Sequence, residues 1–380
     1  MSGATQNNLN KENIKILIAF GTRPEAIKMC PLVRELRSRG VGVKVCVTGQ
    51  HKEILYSAMK AFGVSADYDF GIMSEGQTLF DLTERILAKM KSLLAVYTPD
   101  VILVHGDTTT AFAVALAGFY SKIPVAHVEA GLRSYDLSSP YPEELNRRAI
   151  TLMSRAHFAP TNDAACNLLS EGVPSSQVFV TGNTVVDALG YTLRKGFKSK
   201  LLKEMAGKRI IFLTAHRRES HGKTLENMLL AVRRISESFE DVGVIYPVHP
   251  NPNVKNTAEK ILGGRERIIL CPPLDVVECH NVMAKSYMLL TDSGGIQEEA
   301  AALRRPALVM RNVTERPEGI KAGISALAGT DGEQIFVTVK RLLEDKKLYE
   351  KMRRADNPYG SGNACGKIAD ILLNSNFGNK

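Results

Sequence analysis

The sequence predicts an α/β protein made of two Rossmann-like doubly wound domains facing a central cleft. Three observations predict it. Apolar runs of strand length alternate with stretches of helix length over 14–190, and the alternation repeats over 209–362. The runs show little polar alternation, as expected of strands covered on both faces of a parallel sheet. A chain of 380 residues also exceeds what one ordinary core organises, so two domains are expected.

The elements follow in order. Ile14–Phe20 (IKILIAF) reads as a buried strand. Gly21 permits a tight turn, and Pro24 suits the first turn of a helix that ends near Arg39. Val43–Thr48 is the next strand, followed by helices over His51–Phe62 and Thr78–Tyr97. Val101–Val104 and Pro124–Val128 are strands joined by a crossover helix of small and apolar residues, Thr108–Ser121. Ala156–Pro160 and Val178–Thr181 complete the first set of strands, with a helix over Asn162–Glu171 between them. The Lys-rich stretch 191–208 is expected to be a linker. Strands of the second half fall at Arg209–Thr214, Val242–Pro247, Ile268–Leu270, Tyr287–Thr291 and Pro306–Val309. Helices are expected near Thr224–Phe239, Asp275–Lys285, Gly295–Leu303 and Gly332–Glu344. An amphipathic helix at about Cys365–Asn374, within 363–380, is expected to pack back on the first domain.

Composition narrows the class. Apolar content of 44% and charged content of 23% match a globular protein. No apolar run reaches the ~20 residues that span a bilayer. Residues 1–13 are polar, are expected to be a disordered tail, and lack the apolar stretch of a signal peptide. Six scattered Cys without CxxC spacing favour reduced thiols and a cytoplasmic setting. The net charge of +9 would suit a polyanion, but no basic run with interleaved aromatics marks a nucleic-acid track. An anionic small substrate accounts for part of the excess equally well. No GxGxxG follows a strand, so the usual nicotinamide-dinucleotide site has no support.

Chemistry-bearing residues gather at strand ends. Asp107 (HGD) and Glu129 (HVEAG) each follow a strand, and Glu143–Glu144 opens the next helix after a Pro. Ligands of open α/β sheets bind beyond the carboxyl ends of strands, so three carboxylate sites should share one crevice. In GTRPEAIK, Arg23 stands at a helix entrance and Lys28 about one turn in, which makes an anion site with the free N–H groups there. In the second half, Ser293, Gly294 and Gly295 sit where a strand turns into a helix, a phosphate-binding pattern. Glu298 and Glu299 follow one turn later, where a carboxylate could accept both ribose hydroxyls or simply favour the helix dipole. Arg316 lies beyond the next strand as a further phosphate or nucleotide contact. His216 in HRRES ends a strand and could donate to a leaving phosphate. His105, Asp107, His127 and Glu129 alternate in a way that could surround a metal ion, but hydrogen-bonded structural histidines are the commoner outcome, so no metal is expected.

Taken together, GTRPEAIK at 21–28, HGDTTTA at 105–111, HVEAGLRS at 127–134, PEELNRR at 142–148, GN at 182–183, HRRES at 216–220, HPNP at 249–252, LTDSGGIQEEA at 290–300 and RNVTERPE at 311–318 resemble the non-hydrolysing UDP-N-acetylglucosamine 2-epimerases. The match runs from about Ile14 to the C-terminus with motifs in family order. The resemblance implies the two-domain fold of glycogen phosphorylase and many sugar-nucleotide glycosyltransferases (GT-B). It implies reversible conversion of UDP-GlcNAc to UDP-ManNAc by elimination of UDP to 2-acetamidoglucal and re-addition, without a cofactor, in a homodimer. It assigns Asp107, Glu129, Glu143 and His216 to catalysis. It assigns Arg23, Lys28, Arg133, His249, Ser293, Gly294, Gly295, Glu299 and Arg316 to substrate binding. The same chemistry on a modified UDP-sugar, a hydrolysing epimerase, a glycosyltransferase and a nucleotide-sugar sensor stay open as alternatives.

Some members of that family bind a second UDP-GlcNAc as an activator, partly through residues around TGQH and before QTL. Gln50 matches, but Glu53 and Gly76 stand where those members have Gln and Arg. Initial-rate curves are therefore expected to be hyperbolic in UDP-GlcNAc, and the reverse reaction should need none added. Clear sigmoidicity would refute this.

Overall fold

The computed structural model describes residues 14–49, 52–72, 74, 76–217, 220 and 222–374. The expected tail 1–13, and Gln50, Arg218 and Glu219 among the motif residues, lie outside them. The chain divides into two compact units, Met1–Tyr191 with Gly360–Lys380, and Thr192–Tyr359. Each is a doubly wound parallel α/β unit, in agreement with the expected fold class. Among the described residues, no helix is long and apolar enough to cross a membrane.

The first unit has seven strands: β1 (Lys15–Phe20), β2 (Gly42–Val47), β3 (Tyr68–Asp69), β4 (Val101–His105), β5 (Val125–Val128), β6 (Ala156–Ala159) and β7 (Val178–Val180). Their order is β3-β2-β1-β4-β5-β6-β7, with every neighbouring pair parallel. All of β4 and β5 is buried, which is why their runs are mostly apolar, with His105 and His127 as the buried polar exceptions. Helices α1 (Arg23–Ser38), α2 (Lys52–Ala61), α3 (Leu79–Val96), α4 (Thr109–Tyr120), α5 (Glu143–Met153), α6 (Asn162–Ser170) and α7 (Thr184–Thr192) fill the crossovers. Strand order reverses between β1 and β4, so the loops after these two strands flank the switch point where such sheets bind ligands.

The second unit contains α8 (Lys200–Glu204), β8 (Arg209–Thr214), α9 (Lys223–Ser238), β9 (Val242–Pro247), α10 (Pro252–Leu262), β10 (Ile268–Cys271), α11 (Val276–Lys285), β11 (Met288–Thr291), α12 (Gly294–Ala302), β12 (Ala307–Val309), α13 (Pro317–Ala322), β13 (Ser325–Leu327), α14 (Gly332–Glu344) and α15 (Lys346–Arg353). Strand order is β10-β9-β8-β11-β12-β13, with the switch between β8 and β11. The stretch expected as a linker is tied into this unit from Thr192 onward. The Arg194 N–H donates to Asn281, and the Ser199 hydroxyl to Glu278.

The last helix, α16 (Ala364–Asn374), belongs to the first unit. Asp187 on α7 accepts from the Ala364 and Cys365 N–H groups at its start, where a carboxylate also suits the helix dipole. Arg39, just after α1, pairs with Asp370 and donates to the Gly366 carbonyl.

Strands β3 and β13, and helices α10, α13 and α15, do not follow from the sequence pattern. The two strands are only two and three residues long and largely outside the core, so no apolar run announces them. The three helices lie in polar stretches.

One glycine shows how tightly the sheet end of the first unit is packed. Gly131 has φ +90°, and a Cβ there would sit 2.2 Å from the Ala164 carbonyl oxygen. Gly131→Ala is expected to lower stability by about 1–3 kcal/mol through backbone strain and displacement of α6. Denaturant unfolding checks this; a loss under about 0.5 kcal/mol would contradict the packing.

Candidate functional site

In the first unit, the turn after β1 is fixed by its own sequence. The Glu25 carboxylate accepts from the Gly21 and Thr22 N–H groups at 3.0 and 2.8 Å. Thr22 caps the helix in return, and the Thr108 hydroxyl donates to the other Glu25 oxygen. Burial raises the Glu25 pKa above the ordinary carboxylate value, against the pull of His105 and these hydrogen bonds. Glu25 therefore joins the β1 and β4 loops at the switch point. Arg23 begins α1 half-buried, and Lys28 follows on its buried side.

Lys28 reaches across the sheet end to Glu129. Its ammonium pairs with Oε2, and both side chains are less than a tenth exposed. Asn183, just before α7, donates to the same oxygen at 2.7 Å. His105 Nε2, buried and without a hydrogen-bond partner among the described residues, lies 3.6 Å from it. Glu129 has φ +63°, a left-handed conformation that costs a non-glycine residue about 1 kcal/mol or more. Holding a carboxylate there demands compensation, and Lys28 and Asn183 supply it.

Asp107 is near. A Cβ on Gly106, its neighbour, would lie 4.0 Å from Glu129 Oε1. Arg147 of α5 binds Asp107 Oδ2 at 2.5 Å, and Asn146 donates to its carbonyl. The Glu143–Glu144 pair divides its labour. Glu144 is fully buried and accepts from the Ser134 and Tyr135 N–H groups, which pins the preceding loop. Glu143, the first residue of α5, is half-buried. The structure thus brings Lys28, Asp107 and Glu129 to neighbouring strand ends, and α5, which starts at Glu143, is tied to Asp107 through Arg147.

Arg133 is bound within the first unit. Its side chain is fully buried. It makes a two-pronged pair with Glu171 at 2.7 and 2.8 Å and donates to the Leu132 carbonyl and Thr151 hydroxyl. These bonds engage its guanidinium in holding the β5 loop against α5 and the end of α6.

The second unit builds its site at the β8/β11 switch. His216 and Arg217 follow β8; Asp292 and Ser293 follow β11. Asp292 Oδ2 accepts from the His216 and Arg217 N–H groups at 2.8 and 2.9 Å. The His216 ring is stacked with His249, with centroids 5.6 Å apart, so two expected residues meet. Ser293 stands at the N-cap of α12 but makes no side-chain cap bond, leaving the first N–H groups of the helix uncapped by it. A Cβ at Gly295 would meet nothing within 4 Å, so backbone there is open to approach. Gly294 serves internal packing, because a Cβ would sit 2.9 Å from Glu315 Oε1.

Three arginines surround that carboxylate. Burial opposes the charge of Glu315, but Arg316, Arg217 and Arg311 overcome it and hold the carboxyl far below its ordinary value. Arg316 also pairs with buried Glu298. Glu299 faces His280 Nε2 at 3.5 Å, while the other ring nitrogen bonds the Thr192 hydroxyl.

Comparison with known proteins places this geometry. Residues 34–373 match the family model described as UDP-N-acetylglucosamine 2-epimerase. The chain is 49% identical over 363 residues to the Bacillus subtilis UDP-N-acetylglucosamine 2-epimerase, covering 95% of this chain and 96% of that one. It is 48% identical to the Escherichia coli protein of the same name, over 95% of this chain and 99% of that one. The crystal structure of the Neisseria meningitidis UDP-GlcNAc 2-epimerase bound to UDP-GlcNAc superposes with a TM-score of 0.91 at 44% identity, covering 95% and 100% of the two chains.

The chain belongs to the UDP-N-acetylglucosamine 2-epimerase family.

Within that family fold, several residues of the site escape motif reading. Asn183 signals itself only as the second residue of a GN pair, and its partner Glu129 is distant in sequence. Asp292 adjoins the SGG turn but looks like an ordinary cap residue until its contacts are seen. The row of strand histidines does not gather a metal site: among the described residues, no group of three His, Cys, Asp or Glu could hold an ion. His127 instead bonds the Gly106 carbonyl at 2.7 Å, bracing the turn that carries Asp107.

Burial lowers His127 to about 3, with His157 adding to the effect, and burial with Arg133 lowers His157 to about 4. Both folded values lie below the ~6.5 of a free imidazole. The stabilisation from keeping these rings neutral is complete above about pH 6.5 and is lost as pH falls toward the folded values. The Tm is therefore expected to fall through that window. His127→Gln/His157→Gln should flatten the slope, and an unchanged slope would disprove the assignment.

Proposed function

We propose that this protein interconverts UDP-GlcNAc and UDP-ManNAc as a non-hydrolysing 2-epimerase. The observation that carries this reading is Glu129, a buried carboxylate in a strained conformation, bracketed by Lys28 and Asn183 beside Asp107, in a chain of this family. The substrate has two chemically unlike halves. The first unit is assigned the sugar, and the second, with uncapped α12, Glu299 and the arginines around Glu315, is assigned UDP.

The C2 proton of the sugar has no adjacent carbonyl to acidify it. Departure of UDP creates an oxocarbenium-like C1, and this makes C2–H acidic. A carboxylate takes the proton, the C1–O electron pair leaves with the β-phosphoryl oxygen, and 2-acetamidoglucal forms. A second group returns a proton to the opposite face of C2, and UDP re-adds at C1. Two acid/base groups are the minimum, and Asp107, Glu129 and Glu143 are the candidates. Lys28 keeps Glu129 in place and offsets its charge. Arg23 and His216 are assigned to the charge developing on the diphosphate. No step changes an oxidation state overall, so the reaction itself calls for no redox cofactor. Homodimerisation, implied by the resemblance, is part of the same reading.

Incubation with UDP-GlcNAc in D2O, followed by NMR, tests this. UDP-ManNAc carrying deuterium at C2 is the expected product. Free ManNAc with UDP would instead mean a hydrolysing enzyme, and no reaction would mean another sugar or a binding protein. Asp107→Asn and Glu129→Gln should each lower kcat by about 10²–10⁴-fold; both variants keep the fold, Glu129→Gln at lower stability because Lys28 loses its charged partner. Near-normal turnover in both would overturn the acid/base assignment.

A further inference from the structure

Asp292 carries chemistry that the reading above leaves unused. Its side chain is fully buried at the end of β11, one of the two strands at the second unit's switch point. Oδ2 is occupied by the His216 and Arg217 N–H groups. Oδ1 is buried and, among the described residues, has no hydrogen-bond partner. An ionised carboxylate oxygen can only accept, and a buried acceptor left empty is costly. The nitrogen that faces it is His216 Nδ1, at 3.4 Å. The histidine side chain is 40% exposed, so its ring can turn, whereas the carboxylate is 0% exposed and held by two backbone bonds. Among the described residues, Asp292 faces the ring from the β11 loop, His249 stacks on it from the β9 loop, and Arg217 follows it in the chain. Tyr246, beneath, is turned away: its hydroxyl donates to the Ala215 carbonyl.

We infer that Asp292 is the positioning residue of His216, accepting its Nδ1–H and so fixing the tautomer in which Nε2 is the exchanging nitrogen. Among the described residues, His216 Nδ1 is the ring nitrogen that faces the unpartnered Oδ1, and the buried Asp292 carboxylate is the acceptor it meets. The same carboxylate sets the backbone of the His216 loop through Oδ2, so one side chain fixes both where the ring starts and which nitrogen it presents. This rests on the reading that His216 serves the departing UDP. There, the imidazolium, its Nδ1–H held by Asp292, donates the Nε2 proton to the β-phosphoryl oxygen as UDP leaves; the bare Nε2 of the resulting Nδ1–H tautomer takes that proton back when UDP re-adds, without the ring flipping.

The test separates the two ideas. Two-bond ¹H–¹⁵N NMR of histidine-labelled protein, recorded above the ordinary imidazole titration range, reads the tautomer directly, with the His216 signals assigned by their loss in His216→Gln. The wild type is expected to carry the proton on Nδ1. In Asp292→Asn, the amide oxygen can still accept the backbone N–H groups while its NH₂ faces Nδ1, so the proton should move to Nε2. An Nε2–H tautomer in the wild type, or no change in the variant, overturns the inference. If Asp292→Asn fails to fold, the wild-type spectrum alone decides. In the epimerase assay, Asp292→Asn should lower kcat about 10- to 100-fold with little change in KM, yet have no further effect in a His216→Gln background. Independent, multiplicative losses would mean that Asp292 acts on the loop alone, against the proposal. Absence of any wild-type turnover would remove the functional reading while leaving the tautomer result standing.

Discussion

The buried pair between Lys28 and Glu129 is the constraint on which the first unit depends. It joins α1 to the end of β5, passing over the switch point of the sheet. Both charges are largely desolvated, so neither can be removed alone without stranding the other, a cost of about 3–5 kcal/mol for such pairs. Asn183 binds the same oxygen, and Glu25 ties the β1 turn to the β4 loop. The outcome is a carboxylate in an unfavourable backbone conformation that still has a defined position. Such strain is usually retained where a fixed reacting group is useful.

The second unit solves a similar problem with different chemistry. Here the buried carboxylates, Asp292, Glu298 and Glu315, organise the loops at the strand ends, and arginines and backbone N–H groups are arranged around them. Each unit thus places its charged groups at the point where its strand order reverses. That is the one region of a doubly wound sheet where loops diverge enough to leave room for a ligand.

Much of this was legible in the sequence, for physical reasons. Strands buried on both faces write themselves as predominantly apolar runs, so β1, β4, β5, β8 and β11 could be read directly. Residues immediately after such strands, among them Asp107, Glu129 and His216, could then be placed by counting. Short peripheral elements such as β3 and β13 lack that pattern. Partnerships were illegible because they join residues far apart in the chain. Nothing local reveals that Arg133 is paired with Glu171. Nor does anything local tell Glu144, locked into a loop, from its neighbour Glu143.

The return of α16 to the first unit makes that unit discontinuous, with the second inserted between Tyr191 and Gly360. The second unit is a single unbroken segment and can close its core as soon as it has been synthesised. The first cannot. The contacts of α1 with α16, including Arg39 with Asp370, bridge a sequence separation of 331 residues. During synthesis from the N-terminus, the helix bearing Lys28 therefore waits, with one flank uncovered, until nearly the whole chain has emerged. The scaffold of the strained carboxylate is begun first and finished last.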